Sequence, residues 1–214
     1  MTSATQTKPT PSTPERSQRA DARRNREAVL VAARKRFAEK GVECGMDEIA
    51  RTAGVGVGTV YRHFPTKNDL IAALVHDHFS GLAERAAEAL EQDDPWDAFC
   101  EFLRSSARIQ AEDRALSQFL AAAREFGDRI AVETGLADRT EKLIRRAQRA
   151  GDLRKDVVVE DVPTLMCGLG AITAAHPDSL AGQNWERFLE LALDGMQAPG
   201  RHKLPAPRMR IRRS

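Results

Sequence analysis

The sequence predicts an all-α protein: a small N-terminal helix-turn-helix module of three helices, then a larger helical domain, about nine helices in all. Three observations carry that expectation. Apolar residues recur at spacings of three and four through most of the chain. β-branched runs are scarce, and Val157-Val158-Val159 is the main one. An Ala53-Gly54-Val55 turn separates two short helical patterns near the N-terminus.

Each element follows from local chemistry. Residues 1–20 are rich in Thr, Ser, Pro and Gln, and Arg16, Arg19, Arg23, Arg24 and Arg26 follow closely. Residues 1–24 are therefore expected to be a disordered basic arm. Helix 1 is expected from about Asn25 to Lys40, with Val29, Ala33 and Phe37 on its inner stripe and Gly41 ending it. A short helix over about Met46–Thr52 turns inward through Ile49 and Ala50, and another covers about Val57–His63 before Pro65. Thr66-Lys67-Asn68-Asp69 resembles a capping box that opens a long fourth helix striped by Leu70, Leu74, Val75, His78, Phe79 and Leu82. Pro95 suits the first turn of a fifth helix, and Leu116, Phe119, Leu120 and Ala123 mark a sixth. One longer helix is expected over about 128–150, stopped by Gly151. Another starts near Glu160 and ends at His176-Pro177, and a last one carries Trp185, Phe188 and Leu189. Pro199 to Ser214 is basic and proline-rich and reads as a disordered tail.

Composition narrows the function. The chain has 214 residues and a net charge of only +2, but the charge is segregated. Residues 1–70 carry 13 Lys+Arg against 8 Asp+Glu, residues 71–198 carry 14 against 23, and residues 199–214 carry 6 against none. A basic module on an acidic body suits a polyanion binder whose second part has another task. Cys44, Cys100 and Cys167 are odd in number and far apart, so neither a disulfide framework nor a metal site is expected. No run of 18 apolar residues occurs and residues 1–24 lack an apolar segment, so no membrane span or secretory signal is expected, and the expected location is the cytoplasm. The five histidines are scattered, and no acid pair or nucleophile motif stands out, which argues against an enzyme and against a cofactor.

The sharpest signal is the stretch from Asp47 to Tyr61. Small Ala53 lets two helices cross closely, and Gly54 allows a left-handed turn. Such a pair presents its second helix outward, where it can enter a major groove. Gly56 and Gly58 let backbone approach, Val57 can touch a thymine methyl, and Arg62 can reach guanine or a phosphate. Thr59, Tyr61 and His63 have the reach for phosphates, and Lys67 sits in the first turn of the fourth helix. With Phe37, Gly41, Ile49-Ala50, Ala53-Gly54-Val55, Gly58, Tyr61, His63-Phe64, Lys67 and Leu70 in this order, residues 25–75 resemble the TetR/AcrR family of bacterial transcriptional regulators.

That resemblance implies an all-α homodimer, with a DNA-binding domain over 25–70, a fourth helix linking onward from 67, and a ligand-binding and dimerisation domain over 71–198. It implies a repressor of nearby promoters, released from a palindromic double-stranded operator by a small-molecule effector. Its DNA-contact candidates here are Gly56, Val57, Gly58, Thr59, Tyr61, Arg62, His63 and Lys67. One departure is Gly45, where many relatives place Ser or Thr as helix cap. The difference is worth only a few tenths of a kcal/mol.

Candidates for lining an effector pocket are Phe79, Trp96, Phe99, Leu103, Phe119, Leu120, Met166 and Ile172; for any one of them taken alone, a place in the packed core is the better expectation. Aromatics and Met point to a partly apolar ligand, and Arg104, Arg108 and His78 can recognise polar groups. Leu165, Gly168, Leu169, Ile172, Trp185, Phe188, Leu189 and Met196 are candidates for the dimer interface, with Gly168 and Gly170 admitting a close helix. The rival readings are a helical interaction protein without DNA binding, and a DNA-binding activator or ligand-independent regulator.

Overall fold

The computed structural model describes residues 13–123, 126–175, 179–200, 202–209 and 211. Among them the chain forms α1 (Thr13–Lys40), α2 (Met46–Ala53), α3 (Val57–His63), α4 (Lys67–Leu90), α5 (Pro95–Glu112), α6 (Arg114–Ala122), α7 (Gly127–Glu133), α8 (Leu136–Ala150), α9 (Asp161–Ala175), α10 (Leu180–Gln183) and α11 (Trp185–Met196). The all-α expectation holds. An isolated antiparallel bridge, Leu153 to Gln197, is the one β pairing of the described residues. None of their helices is long and apolar enough to cross a membrane.

The two helices beyond nine have local causes. The single helix expected over 128–150 is broken at Thr134-Gly135, where Gly135 takes φ 72° and a Cβ would strike the Arg139 guanidinium. The four-residue α10 precedes α11 and is capped by the Ser179 hydroxyl, which accepts from Gly182 N at 3.0 Å.

Two other expectations need correction. The basic arm is helical from Thr13 onward and continuous with α1, while residues 1–12 lie outside the described residues. Pro14 suits a first turn, and Glu, Gln, Arg and Ala are good helix formers, so a charge-rich composition does not keep this stretch unfolded. The C-terminal tail is not free either in its described residues. Leu204 and Ile211 pack on the body's core, Leu204 N donates to Asp156 Oδ2 at 2.8 Å, and Ile211 N donates to Glu160 Oε1 at 3.2 Å.

The core divides into two apolar clusters. The first joins Val29, Ala33 and Phe37 of α1 to Ile49 and Ala50 of α2, Val60 of α3, and Leu70, Leu74 and Val75 of α4. It also takes in Leu116 and Phe119 of α6, Ala123, and Ile130 of α7, so the N-terminal module is packed directly on the body. The second joins Ala86 and Ala89 of α4 to Phe99, Cys100 and Leu103 of α5, Leu143, Ile144 and Ala147 of α8, Leu169 of α9, and Leu189 and Leu193 of α11. Val157 and Val159 are buried there as loop, not strand.

Caps fix the helix starts. Asp94 Oδ1 accepts from Trp96 N and Asp97 N at 2.9 and 2.8 Å, with Pro95 in the first turn as the sequence suggests. Gly45 leaves α2 without a side-chain cap, although Asp47 and Glu48 occupy the first turn and favour its positive end. Glu48 also braces α2 to α1: its Oε2 accepts from Lys40 Nζ and from Arg36 Nη2, each at 2.6 Å. These hydrogen bonds, Lys40's first, hold the Glu48 carboxyl down to about 2 against an ordinary value of 4.5. A depressed carboxyl contributes stability above its unfolded value and loses it as the pH falls through its folded one. Thermal unfolding of wild type and Glu48→Gln is therefore expected to differ most above about pH 5, with the gap closing as the pH approaches 2. A gap independent of pH would contradict the brace.

Candidate nucleic-acid interface and body cavity

The two-helix unit is built as its residues require. Ile49 and Val60 are completely buried and hold α2 against α3, while Ala53 and Val55 pack beside them. Gly54 ends α2 with φ 70°, its N–H returning to Ala50 O and Arg51 O. Gly56 then starts α3 in extended conformation, and Thr59 N donates to Gly56 O at 2.9 Å. Because Val60 fixes the inner face, the other face of α3 is turned to solvent. Gly56, Gly58 and Arg62 are exposed, Val57 is 47% exposed and Tyr61 50%. A Cβ added at Gly56 or Gly58 would meet nothing within 4 Å, so both glycines leave open room for an approaching partner.

Thr59, His63 and Lys67 are half-buried at the same end of the module. The His63 Nε2 is enclosed without a hydrogen-bond partner, and burial, then Arg62 and Arg26, push its pKa below 6.5. His63 is therefore neutral at pH 7 and is the least free of the eight candidates. Arg26 of α1 lies over the Phe64 ring at 5.4 Å, which ties the basic stretch of α1 to the end of α3. The expected capping box is present: Thr66 Oγ1 accepts from Asp69 N at 3.1 Å, and Asp69 Oδ2 accepts from Thr66 N at 2.9 Å. It engages the N–H groups of Thr66 and Asp69, and those of Lys67 and Asn68 take no part in the capping box.

Charge pairing sorts the cations. Arg36 and Lys40 are held by Glu48, Arg51 by Asp47 at 3.2 Å, and Arg34 faces Asp77 at 3.5 Å. No ion pair involves Arg62 or Lys67 among the described residues. Cations without an acid partner among the described residues thus lie at the solvent face of α3 and the start of α4, and also on α1 at Arg23, Arg26 and Lys35.

A second feature is a cavity of about 260 Å³ in the body, walled by α4, α5, α6, α7, α8 and α9. Of the pocket candidates, Phe79, Leu103, Leu120 and Met166 line it. Trp96, Phe99, Phe119 and Ile172 do not: Phe99 and Phe119 fill the second and first core clusters, and Trp96 packs at the edge of the second. The sequence reading missed Ser106, Gln110 and Thr140, which are buried and polar on the cavity wall. Their signal was present, because Ser106 and Gln110 continue the Leu103 stripe at three and seven residues. Of the polar candidates only His78 lines the cavity; burial brings its pKa down to about 4. Arg104 instead pairs with Glu190 through two bonds of 2.7 and 2.9 Å, and Arg108 is exposed.

On α9 and α11 the candidates separate by face. Leu169 and Leu189 are 3% and 1% exposed and belong to the chain's own core, so they leave the interface set. Leu165, Trp185 and Met196 pack partly on that core. Ile172 is half-buried, Gly168 is exposed, and Phe188 is 49% exposed beside Leu191 at 59%. Gly170 is buried, and a Cβ there would collide with the Gln110 carboxamide of α5; its close neighbour is in the same chain.

The comparisons with known proteins agree with this architecture. The profile described as "Bacterial regulatory proteins, tetR family" matches residues 29–74, and that described as "Transcriptional regulator SbtR-like, C-terminal domain" matches residues 94–198. An HTH-type transcriptional regulator of Staphylococcus aureus (strain USA300) is 49% identical over 53 residues, which is 24% of this chain and 29% of that protein, so the match spans under a third of this curated relative. The TetR transcription regulatory protein from Mycobacterium vanbaalenii is 34% identical with a TM-score of 0.56, over 85% of this chain and 99% of that one. FadR from Bacillus subtilis, solved in complex with stearoyl-CoA, aligns over 79% of this chain and 98% of its own with a TM-score of 0.61; at 17% identity the likeness is one of fold.

A helix-turn-helix with an outward second helix, set on a helical body, defines a DNA-binding transcriptional regulator rather than an enzyme. The chain belongs to the TetR family.

Replacing Gly54 by alanine places a side chain in the left-handed region, which costs about 1–2 kcal/mol. The expected result is a lower urea midpoint with unchanged helical content. An unchanged midpoint would contradict the turn as described.

Proposed function

We propose that the protein is a homodimeric repressor that occupies a palindromic operator and leaves it when a small, partly apolar molecule fills the body cavity. The observation that carries the reading is the solvent face of α3, where Gly56, Val57, Gly58, Tyr61 and Arg62 are presented while Val60 anchors the helix from behind. On this reading the backbone at Gly56 and Gly58 lies close to the duplex. Val57 meets a thymine methyl, Arg62 reads a base edge, and Thr59, Tyr61 and Lys67 hold phosphates.

Release has a physical route. Val75 and Ala123 belong to the apolar cluster that buries Val29 and Phe37 of α1, and both also line the cavity. Leu120 of α6 packs on the same cluster and lines the cavity too. An occupant that displaces the end of α6 therefore moves the surface on which α1 sits, and α1 carries α2 and α3. Dimerisation is supported by the unpartnered apolar groups of α9 and α11: Gly168, Ile172, Phe188 and Leu191. One short recognition helix reads few bases, so a two-fold pair on a palindrome supplies the remaining affinity.

The experiment is fluorescence anisotropy with duplex DNA from upstream of the protein's own gene, against random duplex, over a salt series. Binding should favour the upstream DNA and weaken steeply with salt; equal, salt-independent binding to both would sink the reading. Arg62→Ala is expected to lose about 1–3 kcal/mol on the operator and to relax its sequence preference. Lys67→Ala should weaken binding on all sequences and lower the salt slope by about 1, and Tyr61→Phe should also weaken all sequences.

A charge in the apolar face tests the dimer. Phe188→Asp with Leu191→Glu should convert a dimer to a monomer in analytical ultracentrifugation and reduce operator affinity. Because both side chains are about half exposed, the fold should survive. A variant that remains dimeric would place the interface elsewhere.

A further inference from the structure

The cavity says more about its occupant than its volume does. Among the described residues no lysine or arginine lines it. Its ionisable lining groups are His78, Asp128 and Cys167. Burial, with Arg85 and Arg34 nearby, lowers the His78 pKa to about 4, while Asp113 opposes this; the imidazole is neutral at pH 7. Asp128 is exposed, in the first turn of α7, and its carboxylate would repel an anion. An anionic occupant would lose its hydration and gain no counter-charge, which is strongly unfavourable.

The wall does offer neutral hydrogen-bonding groups. The Ser106 hydroxyl already donates to Phe102 O at 2.6 Å and so has only lone pairs left to accept with. Gln110 and Thr140 are 8% and 4% exposed and bring amide and hydroxyl groups to the same space. The remainder is side-chain hydrocarbon from Phe79, Leu82, Phe102, Leu120, Val162 and Met166. At about 260 Å³ the space lies just below the ~300–1,000 Å³ usual for drug-sized ligands.

One wall comes from an unexpected place. The C-terminal segment leaves α11, crosses the loop after α8, and brings Ile211 into the cavity lining. A node of buried polar groups holds its path. Arg154, 8% exposed, donates to Asp156 Oδ1 at 2.7 Å and Oδ2 at 3.1 Å, to Gly195 O at 3.3 Å, and to His202 O. Asp156 in turn accepts from Leu204 N, and Glu160 from Ile211 N. Three side chains, Arg154, Asp156 and Glu160, thus fix the strap at His202, Leu204 and Ile211.

We propose that the cavity is a receptor for a small, uncharged, largely apolar molecule carrying one or two hydrogen-bonding groups, and that Ile211 of the C-terminal strap completes its wall. The inference rests on the ligand-release reading above and specifies its ligand. Two fluorescent probes with the same ring frame test it on the full chain: uncharged N-phenyl-1-naphthylamine, and 1-anilinonaphthalene-8-sulfonate, which adds a sulfonate.

The uncharged probe is expected to bind saturably at one site per chain, with the sulfonate about tenfold weaker or more. Ala131→Phe, which fills the cavity, should abolish that binding, with helical content checked by circular dichroism. Ile211→Ala truncates a half-buried side chain at the edge of the core and should weaken the uncharged probe several-fold, with the fold checked by the same helical content. Equal or tighter binding of the sulfonate would overturn the ligand class and leave the receptor standing. Failure of both probes to bind wild type, or binding unchanged in a folded Ala131→Phe, would overturn the receptor and the release reading with it. An unchanged affinity in Ile211→Ala would overturn the strap's part.

Discussion

The structure depends on one shared core, the apolar cluster that α1 makes with two sets of partners at once. Phe37, Val29 and Ala33 are fully buried between α2, α3 and α4 on one hand and Leu116, Phe119 and Ile130 on the other. Truncating a buried Phe costs about 3–5 kcal/mol, a large share of the ~5–15 kcal/mol that holds a typical domain folded. The same burial has a mechanical consequence. A helix-turn-helix joined to its body only by α4 could swing on that helix, whereas this one is also gripped through α1. The orientation of α3 is therefore set by the packing of α6, and α6 borders the cavity.

Electrostatics follow the same economy of placement. Counted by residue, the N-terminal module is only modestly basic, because its acids neutralise most of its cations. Asp21 lies against Arg24, Glu39 against Arg36, Glu48 against Arg36 and Lys40, Asp47 against Arg51, and Asp77 of α4 against Arg34. The exposed pairs of Asp47 and Asp77 add little stability, but together with the part-buried Glu48 brace they remove charge from the flanks of the module. Arg62 and Lys67 are left without acids in the described residues, next to a backbone with no side chains at Gly56 and Gly58. A polyanion is attracted most strongly where the chain can come closest to it, and this coincidence favours α3 over the rest of the module.

The sequence made some of this legible and hid the rest for identifiable reasons. The stripes of α1 and α4 were readable because a 3.6-residue period marks one face, and the turn at Gly54 was readable because few residues accept its backbone conformation. Period alone cannot say what lies across a face. Phe79 and Phe99 belong to equally apolar stripes, yet one borders a cavity and the other is packed solid. The polar interruptions Ser106 and Gln110 were the better markers of the cavity, since a buried polar group on an apolar face needs a reason. The C-terminal segment was misread because its composition is locally that of a free tail, while the groups that hold it, Arg154, Asp156 and Glu160, lie some 50 residues earlier. Composition does not report partners at that distance.

The two glycines of α9 separate what the chain explains from what it leaves to a partner. Each costs about 1 kcal/mol against alanine in a helix. At Gly170 that cost is offset within the chain, because only a missing Cβ lets the Gln110 carboxamide sit at the wall of the cavity. At Gly168 nothing in the chain lies within 4 Å of where a Cβ would be, and the position is exposed. Ile172 and Phe188 are uncovered or half-covered on the same pair of helices. A close helix from a second copy would make use of the missing side chain and cover these groups together. On the proposed dimer α9 would serve both tasks, its inner face lining the cavity and its outer face meeting the second copy, so that an occupant pressing on α9 would act on the spacing of the two α3 helices as well as on each one.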